Sequence, residues 1–572
     1  MKKILLVAAL LATPIAPCLA QSGIFSDPLP PKAGLKRYVV SDLGAVGDGA
    51  TVNTKAIQGV IDDCAAKGGG VVVIPKGTFL SGALFFKQGV NLLVEEDAIL
   101  KSTTDTAEFP AIYTRWEGIE RYWTCGFLNF IGMKDVDVSG EGEIDGSGTM
   151  WGGGGARGRG APGAPGASGG PGGAAAGAGA RGPAIRPASP ELTAINSALR
   201  QLLAGDPDAK AVLDKYPDFR LVTSDPAAPN PVPRGTVVQY TTPAPDPAGF
   251  YTKPYPTTAT LNIAPNRNSL PPVNAAGVRV PGGGLAPPRA LVFQNCENVR
   301  VSGLYLHNEA RWGYVFIYCQ HVLAENLTAF TDTRIASSDG MDIDSSRYVH
   351  VTGCSFDDGD DDISIKAGKD EDGRRVAIAC EDILIEKCHF VRGDGGAAMG
   401  SETSGCIRNV TVRDCVADNG NAAPVRIKTN VTRGGVIENI TYENISYDGV
   451  QRCYELNLAW TATSSSGERM PPVLRNVKII NCSGTGNSAG YIYGLPDSFV
   501  SNVTFEDCHV TTNTGLTLRD VTDDVIAAAQ GPGLKIDVQR GDPLTLPGAA
   551  PVTAPGFGPR PNPAAASAAA IP

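Results

Sequence analysis

The chain has 572 residues, 42% of them hydrophobic and 19% charged, with a formal net charge of −10. So acidic a chain excludes the broad basic surface that nucleic acid requires, and it would hold a polyanion only through a local basic cluster. Thirteen cysteines in a chain this long raise a disulfide framework as one reading.

Residues 1–20 read as an export signal, with Lys2 and Lys3, the apolar run "ILLVAALLATPIAP" and small residues up to Ala20. The run is too short for a membrane span, and no later stretch resembles one, so a periplasmic or secreted protein is expected. Cleavage would remove two lysines and Cys18, leaving a charge of −12 (−10 minus 2) and twelve cysteines (13 minus 1). Residues 21–151 begin with "GAVGDGATVNTKAIQGVIDDCAAKGGGVVVIP" from Gly44. There Asn53 or Thr54 is expected to cap a helix whose Ile57, Val60, Ile61 and Cys64 form one apolar face. Gly68–Gly70 stop the helix and "VVVIP" starts a strand. A short amphipathic helix of this kind lids the open end of a solenoid.

Residues 152–286 break the pattern. As far as residue 183 they are mostly Gly, Ala, Pro and Arg, a composition unable to bury enough apolar surface to fold. A helix is expected after Pro190, with Leu192, Ile195, Leu199, Leu202 and Leu203 on one side, followed by Pro-rich linker. The stretch reads as an insertion from one coil, walling off one end of a groove.

Residues 287–544 repeat one phrase, a polar residue followed by alternating Val or Ile. It occurs as "NVRVSGL" from Asn298, "HVLAENL" from His321, "YVHVTGC" from Tyr348, "DILIEKC" from Asp382 and "NVTVRDC" from Asn409. "NITYENI" from Asn439, "NVKIINC" from Asn476 and "NVTFEDC" from Asn502 continue it. The starts lie 23, 27, 34, 27, 30, 37 and 26 residues apart. Alternation marks half-buried strands and a period of 20–50 residues marks a solenoid. The expected fold is all-β, a single-stranded right-handed parallel β-helix with an N-terminal capping helix. Asn at the phrase starts suits left-handed corners. Cys354, Cys388, Cys415, Cys482 and Cys508 take the places of Leu304, Leu327 and Ile445, so they read as buried hydrophobes rather than disulfide partners. The Asn-x-Ser/Thr triplets at Asn326, Asn409, Asn439 and Asn502 read as structural for the same reason, and His307, His321, His350 and His509 as strand residues. Residues 545–572 read as a disordered Pro/Ala-rich tail.

Four segments carry chemistry: "SSDGMDIDSS" from Ser337, "GDDDISIKAG" from Gly359, "GDGGAAMGSETSG" from Gly393 and "VRIKTN" from Val425. With "EGEIDGSGTMW" from Glu141, they resemble glycoside hydrolase family 28, the polygalacturonases, over residues 38–151 and 288–510. The resemblance implies a hydrolase of α-linked galacturonic acid in pectin, inverting, acting on a pectic polysaccharide or oligogalacturonide without cofactor or metal; a monomer is expected, and the insertion that walls off the groove points to exo action. It implies Asp360 as general acid, Asp339 and Asp361 as the acids that position water, and Arg426 and Lys428 as ligands of a sugar carboxylate. Lys366 and Glu402 are expected nearby as substrate contacts. One departure concerns the third segment, where Gly395 stands in the place of the family's histidine and His389 lies too early in the coil to replace it. That form is similar to rhamnogalacturonan-cleaving relatives, an alternative substrate.

The residues themselves support part of this reading. Asp360 and Asp361 lie 21 and 22 residues after Asp339, one coil. Carboxylates held a few ångströms apart cannot all ionise freely, so one keeps its proton and can serve a leaving glycosidic oxygen. The rung spacing of about 4.8 Å is nearer the retaining than the inverting separation, so inversion rests on the resemblance alone. Arg426 and Lys428 share the outward face of a strand, where a bidentate fork can meet a carboxylate. Asp357, Asp358 and Asp362 read as solvated turn residues. Two rivals stand beside the hydrolase: a calcium-dependent lyase on the same fold, and a non-catalytic polysaccharide binder.

Overall fold

The computed structural model describes residues 27–28, 34–151, 287–331, 335, 337–461 and 469–546, together with three short strands between residues 221 and 263. The expected signal, the helix after Pro190 and almost all of the insertion and tail lie outside the described residues. The three strands, Leu221–Thr223, Val237–Gln239 and Asn262–Ile263, form a separate sheet.

The repeated phrases stack in parallel, and their alternation sets the register. Val299 pairs in turn with Val322, Val349, Ile383, Val410, Ile440, Val477 and Val503, one inward residue per coil. These side chains are buried, and each contributes roughly 1.5–3 kcal/mol by leaving water. A second face repeats the same trick with aromatics: Phe86, Phe130, Phe293 and Phe316 stack with ring centroids 4.3, 4.7 and 5.1 Å apart. The solenoid is thus a right-handed parallel β-helix with a continuous core. All twelve described cysteines are free thiols, eleven of them buried, so they act as small hydrophobes.

The corners are built by asparagine. Asn409, Asn439, Asn476 and Asn502 adopt φ of 56°, 57°, 58° and 51°, a left-handed conformation that most side chains resist and Asn tolerates. Each amide also donates to the residue one coil earlier: Asn502 to Asn476, Asn476 to Asn439, Asn439 to Asn409 and Asn409 to Asp382.

At the open end, helix Thr54–Ala66 buries Ile57, Val60, Ile61 and Cys64. Asn53 stands at its N-cap position but does not cap it with its side chain. Its amide group instead donates to the carbonyls of Val46, Thr51 and Leu80, tying the helix entry to the first coils. At the other end Leu544–Thr545 still pairs with the preceding coil, one residue into the expected tail.

Candidate active site

One face of the solenoid forms the floor of the site. Strands Met341–Asp344, Asp361–Lys366, Gly395–Met399, Val425–Lys428 and the end of Val436–Asn457 lie side by side. Met341, Ile343, Ile363, Ile365, Ala397, Met399, Val425 and Ile427 point into the core. The period of two therefore sends Asp342, Asp344, Ser364, Lys366, Arg426, Lys428, Glu455 and Asn457 to the outer side.

Asp339 lies just before its strand and Asp361 is the first residue of its own. The oxygens of Asp339, Asp360 and Asp361 lie within 4.8 Å of one another. Asp360 occupies the bend before its strand, its backbone N–H on the Ser338 carbonyl at 3.2 Å, while the Gly359 N–H donates to Ser338 Oγ at 3.1 Å. That bend turns Asp360 and Asp361 to one side. Asp339 and Asp361 are buried and Asp360 is half-buried, so Asp360 is the acid of the three that a ligand meets.

Their charges diverge. Burial, then Asp339, Asp394 and Asp361, push Asp360 up to about 7, with Lys428 opposing. Burial also acts on Asp361, but Lys428, Arg426 and Lys366 overcome it and hold the carboxyl well below the usual range. Asp361 accepts from Arg426 Nη1 at 2.9 Å, Lys428 Nζ at 2.6 Å and Ser364 Oγ at 2.8 Å. Asp339 is raised by burial against Lys366, which donates to it at 3.3 Å. The result is one neutral acid beside one fixed anion. For a divalent cation the donor set is poorly suited, because protein cations already occupy the oxygens of Asp339 and Asp361.

The expected substrate ligands are present but already engaged. Arg426 is 2% exposed and Lys428 7%, and both hold Asp361. The Arg426 Nε also faces Glu455 at 3.5 Å. Lys366 serves Asp339, Asp342 at 3.2 Å and Glu402 at 3.7 Å. Glu402 is buried, yet Lys366, Arg433, Lys369 and Lys428 outweigh that burial and lower its pKa.

Asp358 and Asp362 are not solvated turn residues, since both are 0% exposed. Asp362 accepts from Asn421 Nδ2 at 2.8 Å, and Asp358 lies against Glu309, with burial raising both acids. Groups from earlier and later coils cover them, which local composition does not reveal.

Several groups escape sequence reasoning. Trp312 stacks on Lys366 at 4.6 Å, and Trp460 covers Arg426 and Lys428 at 5.1 and 5.5 Å. Tryptophan is scarce in this chain, five in all, and each of these two stands beside a floor strand. A hairpin, Ala111–Trp116 with Ile119–Thr124, turns through Glu117 and Gly118 at φ 46° and 74°, both left-handed as a tight hairpin demands. Its Trp116 packs on Val292, Trp312, Val315, Ile317 and Tyr318, and Arg115 pairs with Asp344. At its tip the Gly118 carbonyl accepts from the Lys369 N–H at 2.9 Å. The hairpin thus covers the floor on the side of the earlier coils and ends beside Lys369. Alternation around "WEGIE" was a readable signal for it.

Residues 279–527 match the model of glycosyl hydrolases family 28, and residues 38–108 match that of rhamnogalacturonase A/epimerase, pectate lyase-like. Residues 279–527 form a family 28 glycosyl hydrolase region. A Vitis vinifera "Probable polygalacturonase" is 20% identical over 81% of this chain and 73% of its own length. The exo-poly-alpha-D-galacturonosidase of Dickeya chrysanthemi is 23% identical over 71% of this chain and 54% of its own length. Among solved structures, an exopolygalacturonase from Thermotoga maritima aligns at a TM-score of 0.60 and 21% identity, over 90% of this chain and 94% of that one, which shows the fold. The match makes the protein a glycoside hydrolase, and the paired acids and their cations lie within the matched residues 279–527.

Proposed function

We propose that this family 28 hydrolase removes galacturonic acid residues from the ends of α-linked galacturonan chains. The observation that carries the reading is the split between neighbours: Asp360 held protonated to about 7, Asp361 held ionised by Lys428 and Arg426. Asp360 gives its proton to the glycosidic oxygen as the bond to the anomeric carbon breaks. Water adds to that carbon and loses a proton to a carboxylate, and a later exchange with solvent restores Asp360. Asp339 is the better acceptor, because Asp361 is too strongly stabilised as an anion to take a proton; Asp361 orients the water. Both Asp361 oxygens are bound by cations, which makes it a poor nucleophile and favours direct attack by water, with inversion. The remaining N–H groups of Lys428, beneath Trp460, suit a sugar carboxylate and ring face.

End-wise action is supported by the hairpin Ala111–Thr124 rather than by the insertion, which lies outside the described residues. Among the described residues the earlier coils are covered by the hairpin, and the floor continues toward Asn457 and the coils after it. Relatives named polygalacturonase and exo-poly-alpha-D-galacturonosidase support the substrate class. The signal-like residues 1–20 support action outside the cytoplasm.

A proton NMR time course on a long oligogalacturonate tests all of this at once. The expected record is short product from the first minutes, in the inverted anomeric form, with little fall in viscosity. Rapid viscosity loss would refute end-wise cutting. Cleavage of rhamnogalacturonan fragments instead would move the substrate to the alternative that Gly395 suggests.

A further inference from the structure

The third segment lacks a histidine at Gly395, and the structure shows what takes up the space. A Cβ there would stand 2.7 Å from Arg426 Cδ and 3.0 Å from Asp361 Oδ1, so an imidazole fits only if the arginine moves. Immediately before it, Asp394 is 8% exposed, with its backbone N–H on the Asp360 carbonyl at 2.7 Å. Asp361 pairs with Gly395 across the parallel strands. Asp360 and Asp394 therefore hold equivalent places on adjacent coils, about 4.8 Å apart along the stack.

Asp360 is faced by Asp339 from the preceding coil, Asp361 beside it, Asp394 from the following coil and Lys428 from the next. Asp394 in turn faces Asp360, Arg426 and Asp362. The lysines and the arginine of the site bind Asp339 and Asp361 directly, so Asp360 is the acid flanked by anions on both sides.

We propose that Asp394 is a positioning residue that stands in for the absent histidine by keeping the reactive proton on Asp360 until the glycosidic oxygen takes it. Asp394 exchanges no proton with the substrate; a negative charge at its place makes the ionised form of Asp360 unfavourable before the bond breaks. The kinetic consequence rests on the galacturonan reading, whereas the electrostatic one does not.

The test follows Asp360 directly, by carboxyl carbon-13 NMR of aspartate-labelled protein, its signal assigned by its loss in Asp360→Asn, alongside kcat/KM against pH on polygalacturonate. In Asp394→Asn the Asp360 midpoint and the alkaline limb should both move down by about one pH unit. That reads as a roughly tenfold loss of kcat/KM on the alkaline side and none on the acid side. Asp394→Glu keeps the anion and should keep the limb, while Asp394→Ser is a second neutral variant should the first not fold. An unmoved midpoint in a folded neutral variant, or a loss equal at every pH, overturns the proposal. A moved midpoint in a protein that cuts no galacturonan leaves Asp394 its role and removes the substrate reading.

Discussion

Asp360 and Asp361 are covalent neighbours with opposite protonation, because burial and the surrounding acids raise Asp360 whereas direct contact with cations outweighs burial at Asp361. Lys428 and Arg426 touch Asp361 at 2.6 and 2.9 Å, whereas Asp360 sits between acids. This arrangement has a stability consequence with a definite sign. The folded state raises Asp360 to about 7, so folding favours its neutral form. Stability from this group is present below the ordinary carboxylate range and is lost as pH rises through 7. Asp360→Asn removes that loss. The variant should melt at the same temperature as the parent near pH 4 and above it at pH 8, while kcat falls by about 10²–10⁴-fold. Parallel calorimetry and rate measurements check both halves. A variant that melts lower at pH 8, or one that keeps full activity, would show that Asp360 is neither strained nor the acid.

Coils, as elements, were legible because each phrase carries its own period of two and its own corner. The strands from Asn298 to Asn502 and the internal cysteines follow from that pattern alone. So does the meeting of Asp339 with Asp360 and Asp361, since one coil separates them. Other features depend on what lies a coil or more away. Asp358 and Asp362 look like turn residues until Glu309 and Asn421, tens of residues distant, close over them. The engagement of Arg426 with Asp361 spans 65 positions, and the hairpin Ala111–Thr124 meets Asp344 and Lys369 only after the whole insertion has been bypassed. The corners give an element-scale prediction. Asn476 combines a φ of 58° with amide bonds to the coils on both sides. Asn476→Ala loses both bonds and meets the left-handed penalty of about 1–2 kcal/mol, whereas Asn476→Gly loses the bonds but escapes that penalty. Alanine should therefore destabilise more than glycine, the reverse of the order expected in a regular strand. Equal melting temperatures for the two would mean that the corner conformation carries no strain.

At the scale of the whole molecule, attraction and repulsion of a uronate chain act over different distances. The net charge of −10 repels a polyanion during approach, over a range of about 30 Å at 0.01 M salt but only about 8 Å at 0.15 M. The cations that receive the substrate lie inside the groove, under Trp460 and Trp312, where they act at contact and are screened far less. Adding salt should then weaken the opposing field and leave the favourable one nearly intact. Between about 0.01 and 0.15 M, kcat/KM on long polygalacturonate should rise while kcat stays constant, because the gain is in encounter rather than in chemistry. Short oligomers, with fewer charges to repel, should respond less. A kcat/KM that falls with salt would mean that Lys428, Arg426 and their neighbours project a positive field well beyond the groove, and that the acidic exterior is too remote from the entrance to matter.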